Sequence, residues 1–369
     1  KKYIKRELEW LSKFENIVLM FDNDEAGIKA SIECANLLPV KKCKIAKLQA
    51  KDANELLQCG QGNKIIDAVS TKKIEEELNN DTFIRKTNYC NHEIYIVDYK
   101  KQPNTTLEIG RLRELSFRSS GGGTGKSYDL DEYDIRDEAY YKQLLVWDPD
   151  EKKIIGGYRF LIGTDILNSK KYDQTATNHL FNFSSEFLNN IFPYTIELGR
   201  SFVQPAYQPS SGNRKSIFSL DNLWDGLGAL VVDFPEIKYF FGKVTMYKDF
   251  NPKGRDLILG FMSSFFPNKE NWITAKKPLS GNHQIDYFLK EIENLTYPLA
   301  YKCLIKNLKN LNCSLPPLIA AYMNLSLTMR TFGTALNTKF GEVEETGILI
   351  SIEDIYSEKK DRHIKTYIK

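Results

Sequence analysis

Hydrophobic and polar positions fall in blocks along this chain, and the blocks predict two separate runs of strand and helix. Ile17-Val18-Leu19-Met20-Phe21 is a short apolar run bounded by polar residues, the pattern of a buried strand. Apolar residues at helical spacing follow over Gly27–Leu38, then a second strand over Lys44–Leu48 and a helix opening at Lys51-Asp52-Ala53-Asn54-Glu55. Alternation of strand and helix implies a parallel sheet covered by helices.

The second run is longer. Leu107–Arg118 (LEIGRLRELSFR) places Leu107, Ile109, Leu112 and Leu115 on one stripe of an amphipathic helix. Tyr141–Trp147, a turn at Asp148-Pro149-Asp150 and Ile154–Ile162 read as a hairpin. Tyr194–Val203 reads as another strand. A polar loop over Gln204–Lys215 carries Gly212, Arg214 and Lys215, a helix begins near Leu220, and Ile237–Met246 is the next strand. Leu315-Pro316-Pro317-Leu318 breaks the chain before a helix over Ile319–Leu327, and Gly347–Ile352 reads as a strand completing the same domain.

Composition narrows the choices. A chain of 369 residues is long enough for two ordinary domains, and 42% hydrophobic with 27% charged residues is a globular mixture. The net charge of +3 supplies no bulk field for nucleic acid or anionic lipid, so a local patch would have to carry either. The six cysteines form no CxxC pair and no ligand spacing with the four histidines, which fits reduced thiols better than a zinc site. No apolar run approaches the ~20 residues needed to span a bilayer, and no signal-peptide pattern opens the chain. The expected location is the cytoplasm, with contact at most to the surface of the inner membrane. Residue 1 is Lys and no Met lies between Met20 and Met246, so the two runs are expected to be an in-frame fusion or an artificial join.

Asp22 and Asp24 follow the first strand, at the end where α/β sheets place their chemistry. Two carboxylates flanking one residue can hold Mg²⁺, or can simply cap the next helix. The string FDNDEAG, then a helix, a strand and KDANELL, resembles the Toprim domain of phage and mitochondrial helicase-primases over residues 1–70. The resemblance implies Asp22 and Asp24 as metal ligands, with Lys51 and Asp52 near a polynucleotide. The family's glutamate on an earlier strand is missing, so the metal site is expected to be incomplete and the segment inactive.

Residues 119–127, SSGGGTGKS, look like a phosphate-binding loop and fail three tests of one. Counting back five from Gly125 gives Ser120 where that motif needs Gly. The segment before it has the pattern of a helix rather than a strand, and the segment after it, Tyr128–Asp134, is acidic. A flexible glycine-rich lid fits better. His92 and Asp98 approach the His-x4-Asp dyad of glycerolipid acyltransferases, but five residues separate them, and His92 reads as a strand-edge histidine. His179, His283 and His363 show no partner pattern.

Helix, hairpin, strand, basic loop, helix, strand resembles the order of GNAT-type acyltransferases. There the loop and helix start receive a pantetheine phosphate through backbone N–H groups and the helix dipole. Arg113 and Phe117, Asp131 and Asp134, Arg159 in GGYRF, and Glu197 with Arg200 in ELGRSF occur in the same order in autoinducer synthases. GGGTGKSYDLDEYD, GGYRFLIG, ELGRSFVQPAYQ, LPPLIAAYMNL and FGTALNTKFGEVEETG resemble bacterial ornithine-lipid and glycine-lipid N-acyltransferases, the glycine-lipid branch above all. The loop holds GGGTGK where the autoinducer synthases carry Trp, which speaks against homoserine-lactone chemistry.

The resemblances imply an α/β protein. A truncated Toprim-type α/β segment (1–70) and a junction with a lead-in helix (71–90) would precede a GNAT-like acyl-CoA/acyl-ACP N-acyltransferase α/β domain (91–369, core 91–265, completion 266–369). The implied reaction moves a 3-hydroxyacyl chain from acyl carrier protein, or from CoA, onto the α-amine of glycine or ornithine, in amino-acid lipid biosynthesis. Glu197 would be the base, with Arg200 and Arg159 orienting it and the substrate carboxylate. Arg113, Phe117, Ser201, Phe202, Val203, Arg214 and Lys215 would meet the acyl-phosphopantetheine or its carrier. Arg113 with Asp131 or Asp134, together with Gly125 and Lys126, would order the lid. No tightly bound cofactor is implied, and Mg²⁺ only for a complete Toprim site.

The residues alone permit plainer readings. Glu197 and Arg200 would serve as a structural ion pair, and Arg113 with Asp131 as a surface pair worth ~0–1 kcal/mol. The aromatic runs Phe181–Phe192 and Tyr239–Phe241 would be core or acyl pocket, core being the commoner role. Two other functions stay open: a nucleic-acid protein working through its Toprim part, and an idle module that only binds carrier protein.

Overall fold

The computed structural model describes residues 2–21, 25–38, 42–45, 62–169, 175–208, 214–279, 281 and 285–368. By its contacts the chain divides into two units, residues 1–65 with 125–127, and residues 66–124 with 128–369.

In the first unit α1 (Lys2–Arg6) and α2 (Leu8–Leu11) precede β1 (Ile17–Leu19), α3 (Glu25–Ala35) and β2 (Cys43–Ile45). The strands pair in parallel, Ile17 with Cys43 through Leu19 with Ile45, so α3 is a crossover helix as the alternation predicted. Ile17, Leu19, Cys34 and Leu38 make its small core. Asp22 and Asp24, the expected metal ligands, lie outside the described residues, as do Lys51, Asp52 and the helix expected there.

The second unit is built on one eight-stranded sheet, in the order β11-β12-β9-β8-β6-β5-β4-β3. Its strands are β3 (Phe83–Lys86), β4 (Glu93–Val97), β5 (Lys142–Asp148), β6 (Lys153–Ile162), β8 (Thr195–Val203), β9 (Tyr239–Met246), β11 (Arg330–Asn337) and β12 (Val343–Ser351). Two short strands, β7 (Phe181–Phe183) and β10 (Ile273–Ala275), pair separately. Residues 71–90, expected as a junction, supply α4 (Thr71–Glu77) and the edge strand β3, so they are part of this unit.

The sheet is covered on both faces because its strands are apolar on both. Along β5, Leu144 and Val146 enter one core while Leu145 and Trp147 enter another, the period of two expected of a strand. Helix α5 (Pro103–Arg118) brings Ile109, Leu112 and Phe117 to the Leu145 side. After α6 (Glu132–Ile135) and α7 (Gly163–Asn168), α8 (Ser219–Asp233) brings Leu223, Leu227 and Leu230 to the Leu144 side. Gly226 sets its closeness to β5, since a Cβ there would stand 2.6 Å from Leu144 Cδ2. The helices α9 (Pro252–Phe265), α10 (Asp286–Ile292), α11 (Tyr297–Asn310) and α12 (Pro317–Met323) extend the same core, and α13 (Ser357–His363) packs on α8. Phe181, Phe187, Phe192 and Phe241 are fully buried together, and Phe241 also lines the cavity between the parting strands.

Two irregularities in the centre of the sheet make a site. Between Gly157↔Phe202 and Arg159↔Gly199 the register advances two residues on β6 but three on β8. The additional residue bulges β8 at Arg200–Ser201, and Arg200 takes a left-handed φ of 51°. Next to it, β8 and β9 pair in parallel only from Thr195–Glu197 to Tyr239–Phe241. Beyond that point β9 continues with β12 and β8 with β6, so the two strands part.

Candidate active site

The parting strands open into a cavity of about 430 Å³, with Glu197–Ser201 on one side and Phe240–Lys243 on the other. Its walls are mostly apolar, closed by Phe117, Phe340 and the Pro317–Ile319 turn of α12. The polar groups inside it fall into three sets.

Glu197 is the first. It stands at the last position of β8 that pairs with β9, 1% exposed, and neither carboxylate oxygen closes a hydrogen bond of normal geometry. Burial pushes its pKa above the ordinary glutamate value, against the smaller opposing pull of the Tyr141 and Thr177 hydroxyls, Lys243 and Arg159. The Tyr141 hydroxyl also accepts the Ala176 N–H at 2.9 Å, which fixes its direction. A buried carboxylate with raised pKa and unused lone pairs is equipped to take a proton.

The second set is a buried charge network. Arg113, fully buried, donates from Nε to Asp129 Oδ2 at 3.0 Å and from Nη1 to Asp134 at 3.3 Å. Arg159 reaches Asp131 Oδ2 at 2.8 Å and Asp134 at 3.3 Å, its guanidinium lying over the Tyr141 ring. Arg200 lies 2.8 Å from Asp129 and 3.7 Å from Asp131, over the Phe340 ring. Burial pushes the Asp131 carboxyl up, but Arg159, Arg200 and Arg113 together hold it well below the usual carboxylate range. Asp131 and Asp134 also form a reciprocal capping box at the start of α6, so the network fixes that turn over the sheet.

This corrects one expectation. Arg159 and Arg200 do not pair with Glu197; their ion pairs run to Asp129, Asp131 and Asp134 instead, because the acidic turn brings those carboxylates to both guanidiniums. The alternative of a Glu197–Arg200 structural pair fails for the same reason, and Arg113 is not a surface residue. Nothing in the spacing marked Asp129, the acid shared by Arg113 and Arg200.

The third set was not anticipated. Lys243 on β9 pairs with Glu345 on β12 at 2.8 Å, and Asn337 donates to the same carboxylate at 2.9 Å. Burial pushes the Glu345 pKa up, but Lys243, Arg200 and Asn337 together hold the group below its ordinary value. Nearby, the Tyr158 and Tyr322 hydroxyls face each other at 3.4 Å, both raised in pKa by burial.

The donor-side residues are spread more widely. Phe117 meets Phe340 edge to face at 5.0 Å and walls the cavity, and Ser201 lines it. Phe202 is turned away into the core beneath α5, leaving only its backbone for a donor. Val203 ends β8, with its carbonyl accepting from Gln208. Arg214 and Lys215 begin a 3₁₀ turn, Arg214–Phe218, that leads into α8; their side chains lie outside those described.

The glycine-rich run follows the carboxyl end of α5, where the dipole is negative and carbonyls rather than amides are free. Several of its amides are occupied: Ser120 and Gly122 donate to Phe117 O, Gly121 donates to Arg118 O, and Thr124 donates to Glu114 Oε2 at 3.0 Å. Gly121, Gly123 and Gly125 have φ of 85°, 95° and 74°, conformations that favour glycine. The loop is therefore no phosphate cradle. Gly125 and Lys126 group by contacts with the first unit.

His92 stands at the edge of β4, as expected, and is completely buried, with Nδ1 2.9 Å from Asn222 Nδ2 and Nε2 3.5 Å from Asp148. Asp98 lies beyond the far end of β4 and accepts the Lys100 and Lys101 amides, so the two form no dyad. His179 is lowered in pKa by burial and Lys243, His363 bonds Asp225 at 2.8 Å, and His283 lies outside the described residues. Among the described residues no group of His, Cys, Asp and Glu is placed to hold a metal ion, and no helix is long and apolar enough to cross a membrane.

Comparison with known proteins agrees with this division. An acetyltransferase (GNAT) domain family matches residues 112–214, and a Toprim-like family matches residues 2–57. A glycine N(alpha)-acyltransferase of Phocaeicola vulgatus is 48% identical over 310 residues, 83% of this chain and 94% of that protein. A second, of Bacteroides thetaiotaomicron, is 48% identical over 313 residues, 82% of this chain and 90% of that protein. A DNA helicase/primase of Enterobacteria phage T3 is 44% identical over 69 residues, 19% of this chain and 12% of that protein. Among solved structures, the CoA-dependent acyl-homoserine lactone synthase BjaI with SAM and isopentyl-CoA matches at 11% identity and a TM-score of 0.35, covering 74% of this chain and 89% of that one. The chain thus carries a Toprim-like amino-terminal segment, and it belongs to the family of N-acyltransferases that the two bacterial relatives represent.

Proposed function

We propose that the second unit transfers an acyl chain from a phosphopantetheine thioester, on acyl carrier protein or CoA, to the α-amine of glycine. The observation that carries this reading is Glu197, a buried carboxylate with no ion-pair partner, faced by the Tyr141 and Thr177 hydroxyls at the point where β8 and β9 part. The acceptor arrives as an ammonium, and Glu197 takes one proton from it. The amine attacks the thioester carbon, and the oxyanion accepts hydrogen bonds from backbone N–H groups of β8 beside the bulge. The C–N bond forms, the C–S bond breaks, and the thiolate leaves with the second proton from nitrogen. Apolar cavity walls keep water from competing for the thioester.

Glycine is proposed on the names of the two relatives, and a 3-hydroxyacyl chain on carrier protein remains the proposed donor. An acyl chain bearing a carboxylate head is an amphiphile, so delivery at the inner-membrane surface and a role in amino-acid lipid synthesis follow from the product's chemistry. The first unit takes no part in this reaction. The test is incubation of the purified chain with 3-hydroxyacyl carrier protein or acyl-CoA and a panel of amino acids, with products read by mass spectrometry. N-acylglycine is expected; N-acylornithine alone would overturn the acceptor, and no product from folded protein would overturn the reaction.

A further inference from the structure

Glycine brings a carboxylate one carbon away from the amine that must reach Glu197. A cation that holds this carboxylate must therefore stand within a few ångströms of Glu197. Three guanidiniums in the cavity region are matched by three carboxylates: Arg113, Arg159 and Arg200 against Asp129, Asp131 and Asp134. They hold a turn in place, and each is already committed to at least one of these acids.

Lys243 differs. It lies on β9 two residues beyond Phe241, and Phe241 is the direct ladder partner of Glu197, so Lys243 projects from the same face of the sheet as Glu197. It stands on the part of β9 that β8 has left, and it lines the cavity, as do Thr245 and Glu345. Among the described residues its ion pair is with Glu345, at 2.8 Å, and an ammonium has three N–H donors to give. Glu345 is itself held by Lys243 and Asn337, which fixes the ammonium in direction. Of the cations acting on Glu197, Lys243 acts more strongly than Arg159.

Resting on the reading of glycine as acceptor, we infer that Lys243 binds the carboxylate of the acceptor amino acid, with Glu345 and Asn337 holding the ammonium in place. Glu197 and Lys243 then form a two-point clamp, one group on the ammonium of the zwitterion and one on its carboxylate. The clamp gives the cavity its choice of α-amino acids over simple amines.

The test compares glycine with glycinamide, which keeps the amine and lacks the carboxylate charge. The wild-type chain is expected to prefer glycine in kcat/KM. In Lys243→Met the preference falls by about 10- to 100-fold, the usual worth of a hydrogen bond to a charged group, with KM for the acyl donor unchanged. Lys243→Arg restores part of it. Equal losses on glycine and glycinamide would overturn the inference and leave Lys243 as the partner of Glu345 alone. Should Lys243→Met fail to fold because Glu345 is left unpaired, the double variant Lys243→Met/Glu345→Gln carries the same comparison. A folded wild-type chain that acylates neither compound would instead overturn the proposed reaction, and this inference with it.

Discussion

Glu197 and Phe241 are the last residues to face each other across the parallel ladder of β8 and β9, and the cavity begins where their pairing stops. Phe241 is wholly buried among the aromatic side chains of the core and fixes the strand from which Lys243 projects. Glu197, equally buried, has no such partner. The contrast places a buried ionisable group, with no ion-pair partner, where two central strands of the sheet part.

Burial of Glu197 has a consequence for stability. Its folded pKa is raised, so the stability it contributes is fully present below its unfolded value, about 4.3, and is lost as pH rises through the folded value. Glu197→Gln removes that loss. The variant is expected to be more stable than wild type above the folded pKa and to approach it in acid, as read by urea denaturation across pH. A constant difference at every pH would show that the carboxyl does not titrate as a buried group.

Asp131 titrates in the opposite sense. Its folded pKa is held down, so its stability is present above the unfolded value, about 3.9, and is lost as pH falls toward the folded value. Thermal denaturation should lose stability below about pH 4, and Asp131→Asn should flatten that dependence. An unchanged acid limb in the variant would place the sensitivity elsewhere.

Asp129 is the acid on which Arg113 and Arg200 converge. Asp129→Ala leaves the fully buried Arg113 with only Asp134 and should cost about 3–5 kcal/mol in urea denaturation. A loss near that of an exposed ion pair would mean that water enters the network.

Gly156 faces the bulged strand. A Cβ there would stand 2.3 Å from Phe202 O and 3.1 Å from Val203 Cα, both backbone atoms that cannot swing aside. Gly156→Ala should push β8 from β6, cost about 1–3 kcal/mol and reduce acyl transfer more than the stability loss explains. Full activity in the variant would show that the catalytic geometry tolerates a moved bulge.

The two units predict separable behaviour. Val69 N donates to Glu108 Oε2 at 3.0 Å, so truncation should stop before Ile66 rather than after residue 70. A chain beginning at Ile66 should transfer acyl groups at the full-length rate, and a chelator should leave both unchanged. Dependence on the removed residues or on a metal would give the Toprim-like segment a part in the reaction.

Much of this fold was legible because local chemistry agreed with it. The hairpin β5–β6 announced itself through two alternating apolar runs and a turn in which Asp148 Oδ1 accepts the Asp150 and Glu151 amides. Strand β3 was missed because Phe83-Ile84-Arg85-Lys86 is too short and mixed to show a period. Family resemblance singles out Glu197, Arg159 and Arg200, which line one cavity, yet the arginines pair with other acids than the one expected. Which acids meet which guanidiniums depends on strand order and the capping of α6, neither of which spacing records. Lys243 and Glu345 were invisible for the same reason, being 102 positions apart in the chain and joined only by the pairing of β9 with β12. A lone Lys within IKYFFGKVTM reads as an exposed strand position until the register places it beside Glu197's partner.

The central claim is that Glu197 accepts the proton from the amine. The most direct measurement is the single-turnover rate of N-acylglycine formation by wild type and by Glu197→Gln, at saturating glycine and acyl donor. A loss of about 10²- to 10⁴-fold in the variant, with donor binding unchanged, is the predicted result. A folded variant that forms product at the wild-type rate would contradict the account.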